Sequence, residues 1–145
     1  MDKKIELINN YMTQEYGRML REGEGFLQYK NIVPGSKAYE TSLWDWDSLF
    51  TDVALRQLFV YNNMDVDISE YEKGCVLNFL VNGKEDGSLP IFITPTKIHP
   101  SPQRQYTNIH KPVLAQHIVF ISENTNGGYS WIEPHFEKVE RFMSY

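Results

Sequence analysis

The sequence has little cysteine, no long apolar run and no excess of positive charge. Cys75 is the one cysteine among 145 residues, so no intramolecular disulfide can form. The formal net charge of -5 argues against a nucleic-acid binder, which would carry a basic face, and against an anionic membrane surface as partner. No apolar run reaches transmembrane length, and the N-terminus lacks the apolar core of a secretory signal. We therefore expect one cytoplasmic domain over residues 1–145, without nucleic acid or membrane partners.

Two of the three tryptophans stand in one short segment, Trp44-Asp45-Trp46-Asp47, directly before a long apolar run. The flat face of an indole suits a ligand that has an apolar face and a polar rim. An ionised carboxylate only accepts hydrogen bonds, and it can accept from two neighbouring hydroxyls. Tryptophan beside aspartate, twice in succession, therefore predicts a site that grips a sugar ring.

Structural explanations for the same four residues stay open. Either Asp45 or Asp47 is a suitable N-cap for a helix that begins near residue 48. Trp44 and Trp46 are bulky enough to belong to the core at the start of that helix. Capping and ligand binding are compatible, because the N-terminus of a helix is a common place for polar ligands.

Apolar residues recur at helical spacing in five segments, which predicts an all-α protein made of helical hairpins. The segments are residues 2–22, about 48–60, 67–82, 112–126 and 133–145. Residues 83–109 contain four prolines and are predicted to be a long loop that forms a cleft wall, with a disordered linker as the alternative. The apolar stripe of the fifth helix continues to Tyr145, and five helices do not close an array of hairpins. We therefore expect residues 1–145 to be the N-terminal portion of a larger domain.

The remaining candidates for chemistry give weaker signals. His99, His110, His117 and His135 have no close metal-ligand spacing, so neither a metal nor another cofactor is predicted. His117 stands among apolar neighbours and is predicted to be a hydrogen-bonded core residue. Cys75 lies on the apolar side of its helix, without a catalytic motif, and is predicted to be a small core residue.

A series of short motifs between residues 32 and 115 resembles one family of enzymes. In chain order the motifs are Ile32-Val33-Pro34-Gly35, Tyr39-Glu40, the stretch 43–50 around the Trp-Asp cluster, Asn78-Phe79, Gly87-Ser88-Leu89-Pro90 and His110-Lys111-Pro112. Their order is similar to that in glycoside hydrolases built as a ring of six helical hairpins, the (α/α)6 barrel. Trehalases and the mannosylglycerate-hydrolase and glucosidase-like relatives are the most similar members.

The resemblance implies a fold and a set of substrate-binding residues. The fold would be part of an (α/α)6 toroid of the six-hairpin glycosidase type. One of the two tryptophans would stack on the sugar to be released, one of the two aspartates would accept from its hydroxyls, and Lys111 would approach from the opposite wall. The implied substrate-binding residues are Tyr39, Trp44, Asp45, Trp46, Asp47, Phe50 and Lys111.

The family's reaction is inverting hydrolysis of α-linked glucosides or mannosides, with a small carbohydrate as substrate and no cofactor. The general acid and base, about 6.5–9.5 Å apart in inverting enzymes, are expected beyond residue 145. The remainder of the catalytic domain is thus an expected partner, and no catalytic residue is assigned here. Asp45 and Asp47 are poorly suited to be the pair, because both project from one short segment. The alternative is a non-catalytic carbohydrate-binding or interaction module.

Overall fold

The fold combines helices with two small antiparallel sheets, in a computed structural model that describes residues 2–99 and 110–145. The α-helices of these ranges are α1 (Lys3–Glu15), α2 (Asp45–Tyr61), α3 (Ser69–Val81), α4 (Leu114–Asn124) and α5 (Phe136–Ser144). One sheet pairs β1 (Leu20–Arg21) with β2 (Asn31–Ile32), and the other has the order β3 (Leu43–Trp44), β4 (Phe92–Thr94), β5 (Lys97–His99). Short 3-10 helices cover Tyr16–Met19, Lys37–Tyr39 and Glu133–His135.

The predicted all-α fold, part of an (α/α)6 toroid, is therefore wrong, and the fold is mixed α/β. The helix predicted over 2–22 ends at Glu15, and the chain then forms a 3-10 turn and β1, which pairs with β2. Gly17 lies in that turn, where its low helix propensity favours the break. The predicted loop 83–109 contains the β4–β5 hairpin, and its residues 100–109 lie outside the described residues.

The three-stranded sheet separates a buried apolar face from a face of stacked rings. Leu43 pairs with Ile93, and both side chains are fully buried in the core. On the other face Trp44 stacks on Phe92 at a centroid distance of 4.2 Å, and Phe92 stacks on His99 at 3.7 Å. The alternation follows from the two-residue period of a strand, which sends neighbouring side chains to opposite faces.

Helix α3 lies at the centre of the core and packs directly against the main chain around β2. At Gly74 an added methyl group would overlap the carbonyl oxygen of Lys30, so only glycine permits this approach. The helix also packs against α4. The core around it consists mainly of aliphatic side chains, among them Ile32, Leu43, Leu55, Ile68, Val76, Phe79, Leu80, Ile93, Leu114, Ile118 and Ile121.

Two side chains of α3 form hydrogen bonds with the main chain around β2, which lies close to the helix. Asn78 accepts from the Tyr29 N–H at 3.1 Å and donates to the Tyr29 carbonyl at 2.9 Å. The sulfur of Cys75 accepts from the Ile32 N–H at 3.2 Å. Cys75 is fully buried, which confirms the prediction of a small core residue. Buried main-chain groups need such partners, because an unpaired one costs free energy comparable to a lost hydrogen bond.

Helices α1 and α5 leave several apolar side chains exposed. Helix α1 has no buried residue, and its Leu7 and Ile8 are mostly exposed. Phe136 and Met143 of α5 are likewise more than half exposed. In the described ranges, no helix is both long enough and apolar enough to cross a membrane.

We predict that Gly74→Ala destabilises the protein by about 1–3 kcal/mol, because the new methyl group must displace the Lys30 carbonyl. Helix propensity alone would make the alanine variant more stable by about 1 kcal/mol. The close approach of the Lys30 carbonyl therefore reverses the sign of the expected stability change. Urea denaturation measures the effect. Gly17→Ala is the matched control, since a methyl group there meets no other atom within 4 Å. Equal or greater stability of Gly74→Ala would contradict the packing described.

Candidate functional site

A cleft of about 270 Å³ opens at the N-terminus of α2. It gathers six of the seven sequence-predicted binding residues, namely Tyr39, Trp44, Asp45, Trp46, Asp47 and Lys111, together with Pro34 and Ile91. The seventh, Phe50, lies one helical turn further along α2 and lines a neighbouring groove instead. Residues that are more than 60 positions apart in the sequence thus meet at one end of a helix.

Neither aspartate is the N-cap of α2. The helix begins at Asp45, three residues earlier than predicted, and Trp44 is the capping residue without a side-chain hydrogen bond. Asp45 and Asp47 both lie in the first helical turn. Negative charges are favoured there by the helix dipole, so the helix stabilises two carboxylates at the cleft.

Asp45 is the buried acceptor of the site, with only 2% of its surface exposed. Its Oδ2 accepts from the main-chain N–H of Lys111 at 2.9 Å and lies 3.7 Å from the ammonium of the same lysine. Its Oδ1 is buried and has no hydrogen-bond partner among the described residues. Since buried polar atoms normally have partners, Oδ1 is an acceptor whose capacity is unused among the described residues.

The two tryptophans have different surroundings. Trp44 is half-buried between Phe92, on which it stacks, and the edge of Tyr39 at 5.4 Å, while its Nε1 has no partner within the described ranges. Trp46 is 47% exposed, and the Lys111 ammonium lies 5.3 Å from its ring centroid. The proposal that both are core residues fits the ring of Trp44 but not that of Trp46. A ligand ring can therefore stack on Trp46, whereas Trp44 offers an N–H donor.

Asp47 is the second carboxylate of the cleft and is half-buried. No hydrogen bond or ion pair joins its side chain to another residue in the part of the chain that the structure describes. Its acceptor capacity is thus open to solvent or ligand.

His110 forms a hydrogen bond with the main chain of Lys111, a role that the sequence did not predict. Its Nδ1 lies 2.8 Å from the Lys111 carbonyl, which can only accept, so Nδ1 carries the proton. The imidazole is buried edge-on against Phe79 and Phe142, and burial lowers the pKa of His110. A neutral ring therefore holds the main-chain carbonyl of Lys111, and the N–H of the same residue binds Asp45.

Behind the cleft, four buried or half-buried polar side chains connect α2, α3 and α4. His117 Nε2 lies 3.0 Å from Asp52 Oδ2, which confirms the prediction of a hydrogen-bonded core histidine. Arg56 forms two hydrogen bonds of 2.5 Å to the carboxylate of Glu72. Sequence reasoning missed Asp52, Arg56 and Glu72, because each resembles an ordinary polar helix residue until its burial is known.

The two carboxyls of this network, those of Asp52 and Glu72, are fully buried and interact with each other. Burial raises the pKa of Glu72 to about 7 and that of Asp52 to about 6, although Arg56 lowers both. Burial also lowers the pKa of His117 to about 4, so the imidazole is neutral. The raised pKa values favour a protonated carboxyl in this pair over two full buried negative charges.

Comparisons with protein-family models, with curated proteins and with solved structures find no match for this chain.

The raised pKa of Glu72 predicts that its contribution to stability falls as the pH rises from 6 to 8. A folded state with a raised carboxyl pKa binds more protons than the unfolded state, so stability is lost as the pH passes through the folded pKa. His110 and His117 oppose this trend near pH 6, since the unfolded histidines take up protons there. The expected loss from Glu72 alone is about 1 kcal/mol, obtained by urea denaturation at each pH as the difference in pH dependence between the wild type and a Glu72 variant.

The matched variant is Glu72→Gln, which keeps the shape and removes the titrating carboxyl. Its stability should not fall between pH 6 and pH 8, because no carboxyl titrates at this position. An unchanged slope would show that Glu72 is not the group that titrates.

Proposed function

We propose that the cleft binds a sugar and that the chain supplies the sugar-binding residues of an inverting glycoside hydrolase acting on α-linked glucosides or mannosides. One juxtaposition carries the proposal. The buried carboxylate of Asp45, with one oxygen unpartnered, lies beside the exposed indole of Trp46.

The polar side of the cleft is complementary to a hydroxyl group. Asp45 Oδ1 is an acceptor and Trp44 Nε1 is a donor, and neither has a partner in the described ranges. A hydroxyl both donates and accepts, so it suits either atom, whereas a carboxylate suits only the donor and an ammonium only the acceptor. The Lys111 ammonium and the carboxylate of Asp47 offer further contacts to neighbouring hydroxyls.

The apolar side of the cleft is the indole of Trp46. A sugar ring has C–H groups on one face and hydroxyls at its rim, and it therefore fits an aromatic surface bordered by charged groups. A phosphate or another anion would meet two carboxylates and one ammonium, that of Lys111, among the described residues that line this cleft. Charge thus favours a neutral, polyhydroxylated ligand.

Support for a glycosidase comes from the motifs that resemble the family. Pro34, Tyr39, the residues 44–47 and Lys111 belong to four of the matching segments, and all of them line one cleft. A chance set of short matches would be scattered over the molecule. Convergence on one cleft is expected if the segments share a binding role.

The described residues that line this cleft do not include two carboxyls on opposite walls. Asp45 and Asp47 are the two carboxylates among its lining residues, and both belong to the same helical turn. An inverting glycosidase needs its two carboxyl groups on opposite sides of the bond that breaks. The proposal therefore assigns proton transfer to another part of the catalytic domain, for which the exposed apolar residues of α1 and α5 are suitable packing surfaces.

The second candidate is a carbohydrate-binding module without catalysis. The same observation favours it, since the lining residues provide recognition groups without a carboxylate on the opposite wall. The two candidates share the ligand and differ in turnover.

Trp46→Ala should weaken the binding of methyl α-D-mannopyranoside or methyl α-D-glucopyranoside by about 1–3 kcal/mol, or roughly 5- to 150-fold, if the sugar stacks on the indole. Isothermal titration calorimetry measures the loss. Phe26→Ala is the control, because this aromatic side chain is similarly exposed, at 43%, and lies outside the cleft. Equal affinities of wild type and Trp46→Ala would contradict stacking on Trp46.

Residues 1–145 alone should bind such sugars without hydrolysing 4-nitrophenyl α-glucoside or α-mannoside, because hydrolysis needs a proton donor and an activated water on opposite faces. Release of nitrophenol is the measurement. Asp45→Asn and Asp47→Asn test the assignment, since each keeps the shape and one acceptor. Protein-dependent turnover that is lost in these variants would identify the two aspartates as the catalytic pair instead.

A further inference from the structure

A second cavity lies next to the cleft, between α1 and α2. It encloses about 540 Å³, within the usual range for small-molecule sites and larger than the cleft itself. We call it the α1–α2 groove. Its lining residues are Tyr11, Met12, Glu15, Arg18, Met19, Gly35, Trp46, Asp47, Phe50, Thr51, Ala54 and Leu55.

Trp46 stands between the cleft and the groove. It lines both cavities, as does Asp47. Lys111, which lies 5.3 Å from the Trp46 ring centroid, lines only the cleft, whereas Phe50, at a centroid distance of 6.3 Å, lines only the groove. The indole thus has a polar neighbour on the cleft side and an aromatic neighbour on the groove side.

The groove is chemically different from the cleft. Three aromatic and two thioether side chains contribute to it, and thioethers adapt readily to flat apolar ligands. Its cation, Arg18, is already paired with Glu15 at 3.0 Å. Its remaining charge, that of Asp47, lies on the border with the cleft. An anionic group would therefore find no unpaired cation among the lining residues, whereas a neutral aromatic group would find rings to stack on.

We infer that the α1–α2 groove binds an aromatic aglycone attached to the sugar that the cleft holds. The inference rests on the proposed function and adds the chemistry of the group beyond the glycosidic oxygen. The two cavities border each other at Trp46 and Asp47, so a glycoside that spans this border would place its sugar on the Lys111 side and its aryl group on the Phe50 side.

The test compares phenyl and methyl α-D-glucopyranoside, and the corresponding mannosides, by calorimetry on the full 145-residue chain. The phenyl glycosides should bind roughly tenfold more tightly or better, because the ring buries apolar surface in the groove. Ala54→Phe fills the groove from α2 and should abolish this advantage while leaving methyl glycoside affinity unchanged. Gln57→Phe is the matched control, since it adds the same ring at an exposed position of α2 that does not line the groove.

Phe50→Ala is a second variant, which removes an aromatic wall rather than adding bulk. Phe50 is 61% exposed, so its truncation should leave the fold intact. The variant should bind phenyl glycosides less tightly, so that their affinity approaches that of the methyl glycosides. Methyl and phenyl glycosides that bind equally would overturn the inference and leave the proposed function standing. A dimer in sedimentation that Ala54→Phe dissociates would also overturn it, because a second copy would then occupy the groove.

Benzyl alcohol alone separates the inference from the proposed function. If no glycoside binds but benzyl alcohol does, and Ala54→Phe removes that binding, the groove is an aryl site and the sugar proposal fails. If neither glycoside nor benzyl alcohol binds, both fail.

Discussion

The burial of two carboxyl groups side by side is the constraint on which the helical core depends. Asp52 and Glu72 are fully buried, and two isolated charges there would cost several kcal/mol each. Arg56 from α2 and His117 from α4 compensate for part of that cost through their hydrogen bonds to these carboxyls. Since the partners come from three helices, their geometry is satisfied in one arrangement of α2, α3 and α4. Removing a single member leaves another buried and unpaired, which is more harmful than replacing the whole set by apolar residues.

The same arrangement determines the geometry of the cleft. Asp45 lies seven residues before Asp52 on the buried face of α2, about 10 Å along the helix axis. Lys111 precedes α4, which Asp52 holds through His117. Fixing α2 against α4 therefore also fixes the distance between the Asp45 carboxylate and the peptide N–H that binds it. The cleft thus lies at the end of α2 that this packing positions.

Local sequence patterns predicted the helices and the residues of the cleft. They missed the sheets and the buried charges, which depend on residues distant in the sequence. Helical periodicity located α2 to α5, and the density of tryptophan and aspartate located the cleft. Strands of two or three residues have no detectable period, and the pairing of Leu43 with Ile93 joins residues 50 positions apart, so the sheets were missed. Glu72 could not be recognised as buried, because charged residues are normally exposed and its partner Arg56 belongs to another helix.

The passage of the chain from strand to helix gives the two tryptophans their different roles. Trp44 ends β3, where ring stacking on Phe92 and the sheet hydrogen bonds hold it rigidly. Asp45 already belongs to the helix, so the side-chain direction turns by about 100° per residue instead of alternating. Trp46 is therefore directed away from the sheet and remains exposed. On the proposed function, hydroxyl recognition falls to the buried groups of Trp44 and Asp45, and ring stacking to the exposed indole of Trp46. Preorganised polar groups lose less entropy on binding, and an exposed indole can adjust to different rings, so selectivity should be stricter for the sugar than for its aglycone.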